Sequence, residues 1–333
     1  MSSFPSQTSS TPPIDPDGIP EGEVAKLYLA MRRIRRVEEE IERIYHTDVV
    51  KSPVHLSIGQ EAAAVGVCGA LRPNDIVFAT YRGHAAYLAK GGDMKRMIAE
   101  LYGKATGCGG GKSGSMHLID IAAGMMGTSA IVGTTIPQAI GYAYAIKRRG
   151  LDQVVVSFFG DGATEEGVFH ESINFAALKR LPVLFACENN LYAIHSHVRD
   201  RMATTDLVLR ARSYGVPAER IAHGDVFALR REVSNMLPAI RAGGGPRFIE
   251  IETYRYSRHV GPGSDIELGY RAKEELELWQ ARDQIARLAA MLPSEARANI
   301  DNAINAEVAE AFAFAERSPF PANNALHQNV LHD

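Results

Sequence analysis

Two continuous apolar runs, "VVVSFF" and "PVLFAC", lie on either side of an amphipathic segment over 166–180. Runs without polar alternation are those of strands buried on both faces, and an amphipathic helix between them is the crossover that parallel strands require. Further strands are predicted in "DIVFAT" and "RFIEIETYRY". Helical spacing marks "EGEVAKLYLAMRRIRRVEEEIERIY", "GQEAAAVGVCGAL", "DMKRMIAELYG", "TIPQAIGYAYAIKRRG" and two closing helices, "KEELELWQARDQIARLAAML" and "SEARANIDNAINAEVAEAFAFAE". The fold class is therefore α/β, a parallel sheet flanked by helices. No linker interrupts it, so residues 21–318 are expected to form one domain between an N-terminal arm, 1–20, and a C-terminal tail, 319–333.

Composition excludes several classes. The 333 residues are 46% hydrophobic and 23% charged with formal net charge -3, so a nucleic-acid partner is not expected. Cys68, Cys108 and Cys187 form neither a paired framework nor a zinc spacing, which suits a reducing, cytoplasmic compartment. The Ser-, Pro- and Thr-rich N-terminus lacks the pattern of a signal peptide, and no apolar run reaches membrane-spanning length. The segment 103–117 holds six glycines in fifteen positions and reads as a loop.

The strand ends carry the chemistry. Gly160, Asp161 and Gly162 follow one strand, and Glu188, Asn189 and Asn190 end the next. Ligands of open parallel sheets bind at the carboxyl ends of strands. Glycines let the backbone turn sharply, and free amides at a following helix start favour phosphate. Asp161 would repel phosphate unless a hard cation bridged them, and magnesium takes carboxylate, amide, carbonyl and phosphate oxygens together. Taken singly, Asp161 reads equally well as a helix cap and Asn189-Asn190 as a turn. The 26 residues between Gly162 and Asn189 suit one helix and one strand, which couples the two motifs.

Gly-Asp-Gly, 26 residues, then Asn-Asn resembles the thiamine diphosphate motif. "HLSIGQEA", "TYRGHA", "GGKSGSMH", "IVGTTIP" and "ETYRYSRH" resemble the alpha subunit of the E1 component of 2-oxo acid dehydrogenases, the pyruvate, branched-chain and acetoin group. The resemblance implies the diphosphate half of a thiamine diphosphate-binding fold with helical extensions, and thiamine diphosphate and Mg2+ as cofactors. It puts magnesium on Asp161, the Asn190 side chain and the backbone carbonyl of Tyr192. It puts the diphosphate against Gly160, Gly162 and Ala163 and against Tyr81, Arg82 and Arg255, since guanidinium forks suit phosphate oxygens. Ile194 falls at the apolar wedge that bends the cofactor, and the backbone around Ala130 and Val132 meets the aminopyrimidine. His84 and His259 match the catalytic histidines, His259 also touching cofactor. His55 and His117 are placed second, as lining residues.

The glutamate that protonates the pyrimidine is implied in a beta subunit, because no second pyrimidine-binding domain is seen here. An α2β2 heterotetramer with an active site at the subunit interface is expected. The implied activity is decarboxylation of a 2-oxo acid, or cleavage of an acyloin, with acyl transfer to the lipoamide of an E2 partner. The alternatives are a carboligase or ketolase half without a lipoyl partner, a non-catalytic scaffold for the beta chain, and a magnesium phosphoesterase using Asp161. The last leaves Asn189-Asn190 and Ile194 unexplained. Ser257 and Arg258 depart from the family pattern. Arg258 either recognises a substrate carboxylate or phosphate, or points outward and pairs with Asp265 or Glu267. Val260 stands where animal relatives carry a regulatory phosphoserine, so no kinase switch is expected there.

Overall fold

The computed structural model describes residues 22–328. The predicted arm, 1–20, lies outside them. In chain order the elements are α1 (Glu23–Ile44), α2 (Glu61–Cys68), β1 (Ile76–Thr80), α3 (His84–Ala89), α4 (Met94–Leu101), β2 (Met125–Ser129) and α5 (Thr135–Arg148). Next come β3 (Val155–Gly160), α6 (Gly167–Lys179), β4 (Val183–Asn189), β5 (Tyr192–Ala193), β6 (Ser196–His197), α7 (Val198–Arg201) and α8 (Leu207–Arg212). The remainder are β7 (Ala218–Ile221), α9 (Val226–Ala239), β8 (Arg247–Glu252), α10 (Lys273–Gln280), α11 (Gln284–Ala290) and α12 (Ser294–Arg317). Among the described residues, no helix is long and apolar enough to cross a membrane.

Six strands form one sheet in the order β2-β1-β3-β4-β8-β7, every pairing parallel. The period of two divides each strand between two cores. Val156, Phe158, Leu184, Ala186, Ile249 and Ile251 pack on the α1, α2, α9 and α12 side. Val155, Phe159, Val183, Phe185, Cys187 and Phe248 pack against α5, α6 and α8. Both faces are thus covered, as the unbroken apolar runs predict. From β1 the chain proceeds to β2 on one side and to β3 on the other, so the order reverses between β1 and β3. Such a switch point leaves a crevice at the strands' carboxyl ends.

Two sequence expectations change. The stretch "KEELELWQARDQIARLAAML" is two helices, because Asp283 caps α11 through bonds from Ile285 N and Ala286 N and ends α10 before it. The strand in "RFIEIETYRY" stops at Glu252, leaving Arg255 in a loop. The described part of the tail is docked: Pro319 O accepts from Ala105 N at 2.9 Å, and Lys112 Nζ donates to Ala325 O and Gln328 O at 3.0 and 2.9 Å. The glycine-rich loop is ordered from within by Glu100 of α4. Its buried carboxylate accepts from four backbone amides, Gly109, Gly111, Ser113 and Gly114, at 2.6–3.1 Å.

Candidate functional site: a cavity at the sheet switch point

A cavity of about 210 Å³ opens where the sheet order reverses. The end of β1 supplies Tyr81 and Arg82, the end of β3 supplies Gly160, Asp161, Gly162 and Ala163, and the end of β4 supplies Glu188 and Asn190. Tyr192 and Ile194 come from the β5–β6 hairpin, Arg255 and His259 from the loop after β8, and Val132 from the loop before α5. Two predicted site residues, Ala130 and His84, are not in this wall, and neither are the second-placed His55 and His117.

Asp161 is 1% exposed. It opens a short turn ahead of the helix predicted over 166–180. Asp161–Glu165 is a single 3-10 turn, closed by Thr164 Oγ1 donating to Asp161 O at 2.7 Å, and α6 begins only at Gly167. The amides beside the cavity therefore belong to that turn. Gly162 is needed for close approach, since a Cβ there would lie 2.8 Å from Ala193 Cβ. Burial raises the Asp161 carboxyl above its ordinary range, opposed by the guanidinium of Arg201. Arg201 pairs with both Asp161 and Glu165, and its Nε donates to Ser196 O at 3.1 Å.

Across the cleft, Asn190 Oδ1 accepts from Tyr192 N at 3.1 Å around a left-handed Leu191, φ 71. Ile194 has φ 55 and is 56% exposed at the cavity wall. A β-branched residue in that region is strained by roughly 1–3 kcal/mol and persists only where its surroundings impose it. Here the two-residue turn of the hairpin and a bond from Arg255 Nη2 to Ile194 O, 3.1 Å, impose it. Ile194 is a presented side chain, not a core one.

The opposite wall is cationic. Arg82 is buried, bonds Leu56 O, and donates from Nη2 to His259 O at 3.1 Å. Burial, then Arg255, push its guanidinium down to about 10. Arg255 is also buried; its Nη2 bonds Ile194 O and the Tyr270 hydroxyl, while its Nη1 has no hydrogen-bond partner. Tyr81, His55 and His259 form a ring cluster with centroids 4.5–5.7 Å apart.

A sequence model of the family described as "Dehydrogenase E1 component" matches residues 29–324. The chain belongs to the dehydrogenase E1 component family. It is 36% identical over 309 residues to the alpha subunit of an acetoin:2,6-dichlorophenolindophenol oxidoreductase from Bacillus subtilis, covering 91% of this chain and 92% of that one. It is 37% identical over 316 residues to a pyruvate dehydrogenase E1 component subunit alpha from Zymomonas mobilis, covering 93% and 88%. A pyruvate dehydrogenase E1 component subunit alpha from Rhizobium meliloti is 35% identical over 313 residues, covering 92% and 89%.

His84, expected as a catalytic histidine, does not line the cavity. Its ring is 0% exposed, with Nδ1 3.0 Å from Glu38 Oε1 and Nε2 2.8 Å from Ser115 Oγ. The motif "TYRGH" is split by the start of α3: Tyr81 and Arg82 face the cavity, whereas His84 faces α1 and the glycine-rich loop. Ala130 likewise does not line the cavity, whereas Val132 does. Arg258 is exposed and donates to Ser264 O at 3.1 Å. Its expected partner Asp265 instead serves Arg255 and Arg271. Gln60, Glu188 and Arg201 are site residues that sequence reasoning missed. Gln60 reaches the cleft from far along the chain, Arg201 stands outside the lining and pairs with Asp161, and only Glu188, beside the Asn-Asn pair, carried a local signal.

The histidine cluster predicts a pH effect. Burial, then Arg82, depress both His55 and His259 to about 3, with His84 and His195 among the lesser contributors. Between about 3 and the ordinary 6.5 the unfolded chain binds protons at both rings that the folded chain does not. Stability from this pair is thus full above 6.5 and falls with pH below it. Discounted for the partly open face of His259, the slope is about 1–2 kcal/mol per pH unit. Glu188, pushed up to about 7 by burial, works in the opposite sense. Urea unfolding at several pH values should give a flatter profile for the His55→Gln, His259→Gln double variant. Parallel profiles would remove this account.

Proposed function

We propose that the chain is the alpha subunit of a two-chain, thiamine diphosphate-dependent E1 that decarboxylates a 2-oxo acid or cleaves an acyloin. The acyl group then passes to the lipoamide of an E2 partner. The carrying observation is the convergence in one cavity of a buried carboxylate and amide, Asp161 and Asn190, with two buried guanidiniums, Arg82 and Arg255. A metal-bound diphosphate presents the charges that complement both walls. Arg255 Nη1, buried without a hydrogen-bond partner, fits an anion that completes its fork.

Asp161, the Asn190 side-chain oxygen and the Tyr192 carbonyl would hold Mg2+, a donor set of oxygens alone, as that ion prefers. Gly162 and Ala163, with Tyr81, Arg82 and Arg255, would hold the diphosphate. When bound, thiamine diphosphate supplies a nucleophilic carbon that adds to a carbonyl and then stabilises negative charge. Ile194, exposed at the cavity wall, would offer its apolar side chain to the cofactor. A ring nitrogen of His259, at the cavity wall, would take or return the proton of the substrate's oxygen. His84 acts from behind: it ties the start of α3 to α1 and the glycine-rich loop and so steadies Arg82, two residues earlier.

The relatives' alpha-subunit names support a beta partner, and we place the shared site at an α2β2 interface. Three buried free cysteines fit a reducing, cytoplasmic setting. The test is to coexpress the chain with its beta-type partner and follow reduction of an artificial electron acceptor. A panel of 2-oxo acids and acetoin is supplied with and without thiamine diphosphate and Mg2+. Turnover that requires both is expected. Turnover that ignores them, or none on any carbonyl donor, rejects the reading.

A further inference from the structure

Gln60 immediately precedes α2, is buried, and puts its side chain in the cavity wall. Its backbone is pinned from both sides. Gln60 N donates to Ser57 O at 2.8 Å, and Glu61 is paired with Arg35 and accepts from Gly59 N at 3.0 Å. Gly59 has φ +94, and a Cβ there would lie 2.4 Å from the Tyr254 carbonyl oxygen. Only glycine lets this segment pass so close, and that passage delivers Gln60 to the cleft.

The side chain belongs to a directed chain of hydrogen bonds. Tyr192 N donates to Asn190 Oδ1 at 3.1 Å, Asn190 Nδ2 donates to Gln60 Oε1 at 3.0 Å, and Gln60 Nε2 donates to Glu188 Oε1 at 3.4 Å. Its direction is set by chemistry. A backbone N–H only donates, so Tyr192 requires the oxygen of Asn190, whose nitrogen then requires an acceptor from Gln60. A flipped Gln60 would set nitrogen against nitrogen, and its own oxygen against the Glu188 carboxyl.

We propose that Gln60 is a positioning residue that fixes the amide orientation of Asn190 and keeps Oδ1, with its second lone pair, as the atom offered to a divalent cation. This rests on the cofactor reading above. Without Gln60 the amide keeps only the Tyr192 N–H to orient it, and any turn that brings its NH2 toward the cation offers no ligand for magnesium. Removing a group that orients a metal ligand typically weakens metal binding about 10–100-fold.

The experiment is calorimetric titration of Mg2+ at saturating thiamine diphosphate, on the chain coexpressed with its beta partner. Gln60→Met keeps the volume and removes both bonds, and Gln60→Ala is the second variant; melting temperatures confirm folding. Both should raise the Mg2+ Kd by about 10–100-fold, and Gln60→Glu combined with Glu188→Gln, which keeps the acceptor for Asn190 and reverses the donor and acceptor of the second bond, should restore most of the affinity. In an Asn190→Ala background the same substitutions should add no further loss, because the amide they orient is gone. Unchanged affinity in Gln60→Met, or an equal further loss in that background, overturns the proposal alone. A wild-type complex that binds no Mg2+ with thiamine diphosphate overturns the cofactor reading and this proposal with it.

Discussion

Asp161→Asn should abolish Mg2+-dependent binding of thiamine diphosphate while leaving the protein folded. The loss should be at least about 100-fold, the upper end of the loss seen when only a metal ligand's supporting partner is removed. Asp161 is the one carboxylate of the proposed donor set, so its removal takes away the set's only full negative charge. The fold should survive for a specific reason. Burial raises the Asp161 carboxyl, so the charge is held at a cost to the folded state, and asparagine keeps the shape without it. Arg201 would retain Glu165 and Ser196 O as partners. Calorimetry with and without Mg2+, beside a thermal melt, is the measurement. A folded Asp161→Asn protein that binds the cofactor with wild-type affinity and Mg2+ dependence would dismiss the metal assignment.

How far each interaction reaches along the chain decides whether the sequence reveals it. Asp161 and Asn190 are legible because each sits within a few residues of a strand whose apolar run is unmistakable, and β3 pairs directly with β4. Arg82 and Arg255 are legible only through motif resemblance, since nothing local says that two buried arginines face one cavity. His84 shows the limit of reading a motif as a contiguous surface. The bend over residues 81–82 separates it from Tyr81, and as the first residue of α3 it meets Glu38, 46 positions away. Gln60 and Arg201 are hidden for the same reason: Gln60 meets Asn190 across 130 positions and Arg201 meets Asp161 across 40. β7 offers only four residues, and the β5–β6 hairpin four in all, too few for a periodicity to register. Asp283 is a helix cap inside what reads as one continuous amphipathic pattern; the cap decides because two backbone amides depend on it.

Asp265→Ala is expected to be the most destabilising single substitution near the cavity. Its carboxylate is fully buried and serves two buried guanidiniums at once. Oδ1 accepts from Arg271 Nε at 2.7 Å, Oδ2 lies 3.8 Å from Arg255 Nη1, and the Tyr270 hydroxyl also donates to it. Burial alone would raise this carboxyl, but Tyr270 and Arg271 outweigh it and hold it below the ordinary range. Its stabilisation is therefore full above the ordinary carboxylate pKa and is lost as pH falls through the depressed one. Removing one partner from a buried ionic cluster costs about 3–5 kcal/mol, because the cations left behind can neither reach water nor find another anion. In a chain of this size that corresponds to a fall in Tm on the order of 10 °C. Arg258→Ala, seven residues upstream, is the natural control: exposed and bonded to a backbone carbonyl, it should shift stability by no more than about 0.5 kcal/mol. The two variants also divide the loop by function. Arg255 and Arg271 both lean on Asp265, and Arg271 Nη1 donates to Arg255 O at 2.6 Å, so Asp265→Ala should loosen the guanidinium proposed to grip the diphosphate and weaken cofactor binding along with the fold. Differential scanning calorimetry and cofactor titration on the same preparations decide the matter. An Asp265→Ala protein that melts with the wild type would mean that the two arginines find compensation elsewhere, and that the cluster does not hold the cationic wall in place.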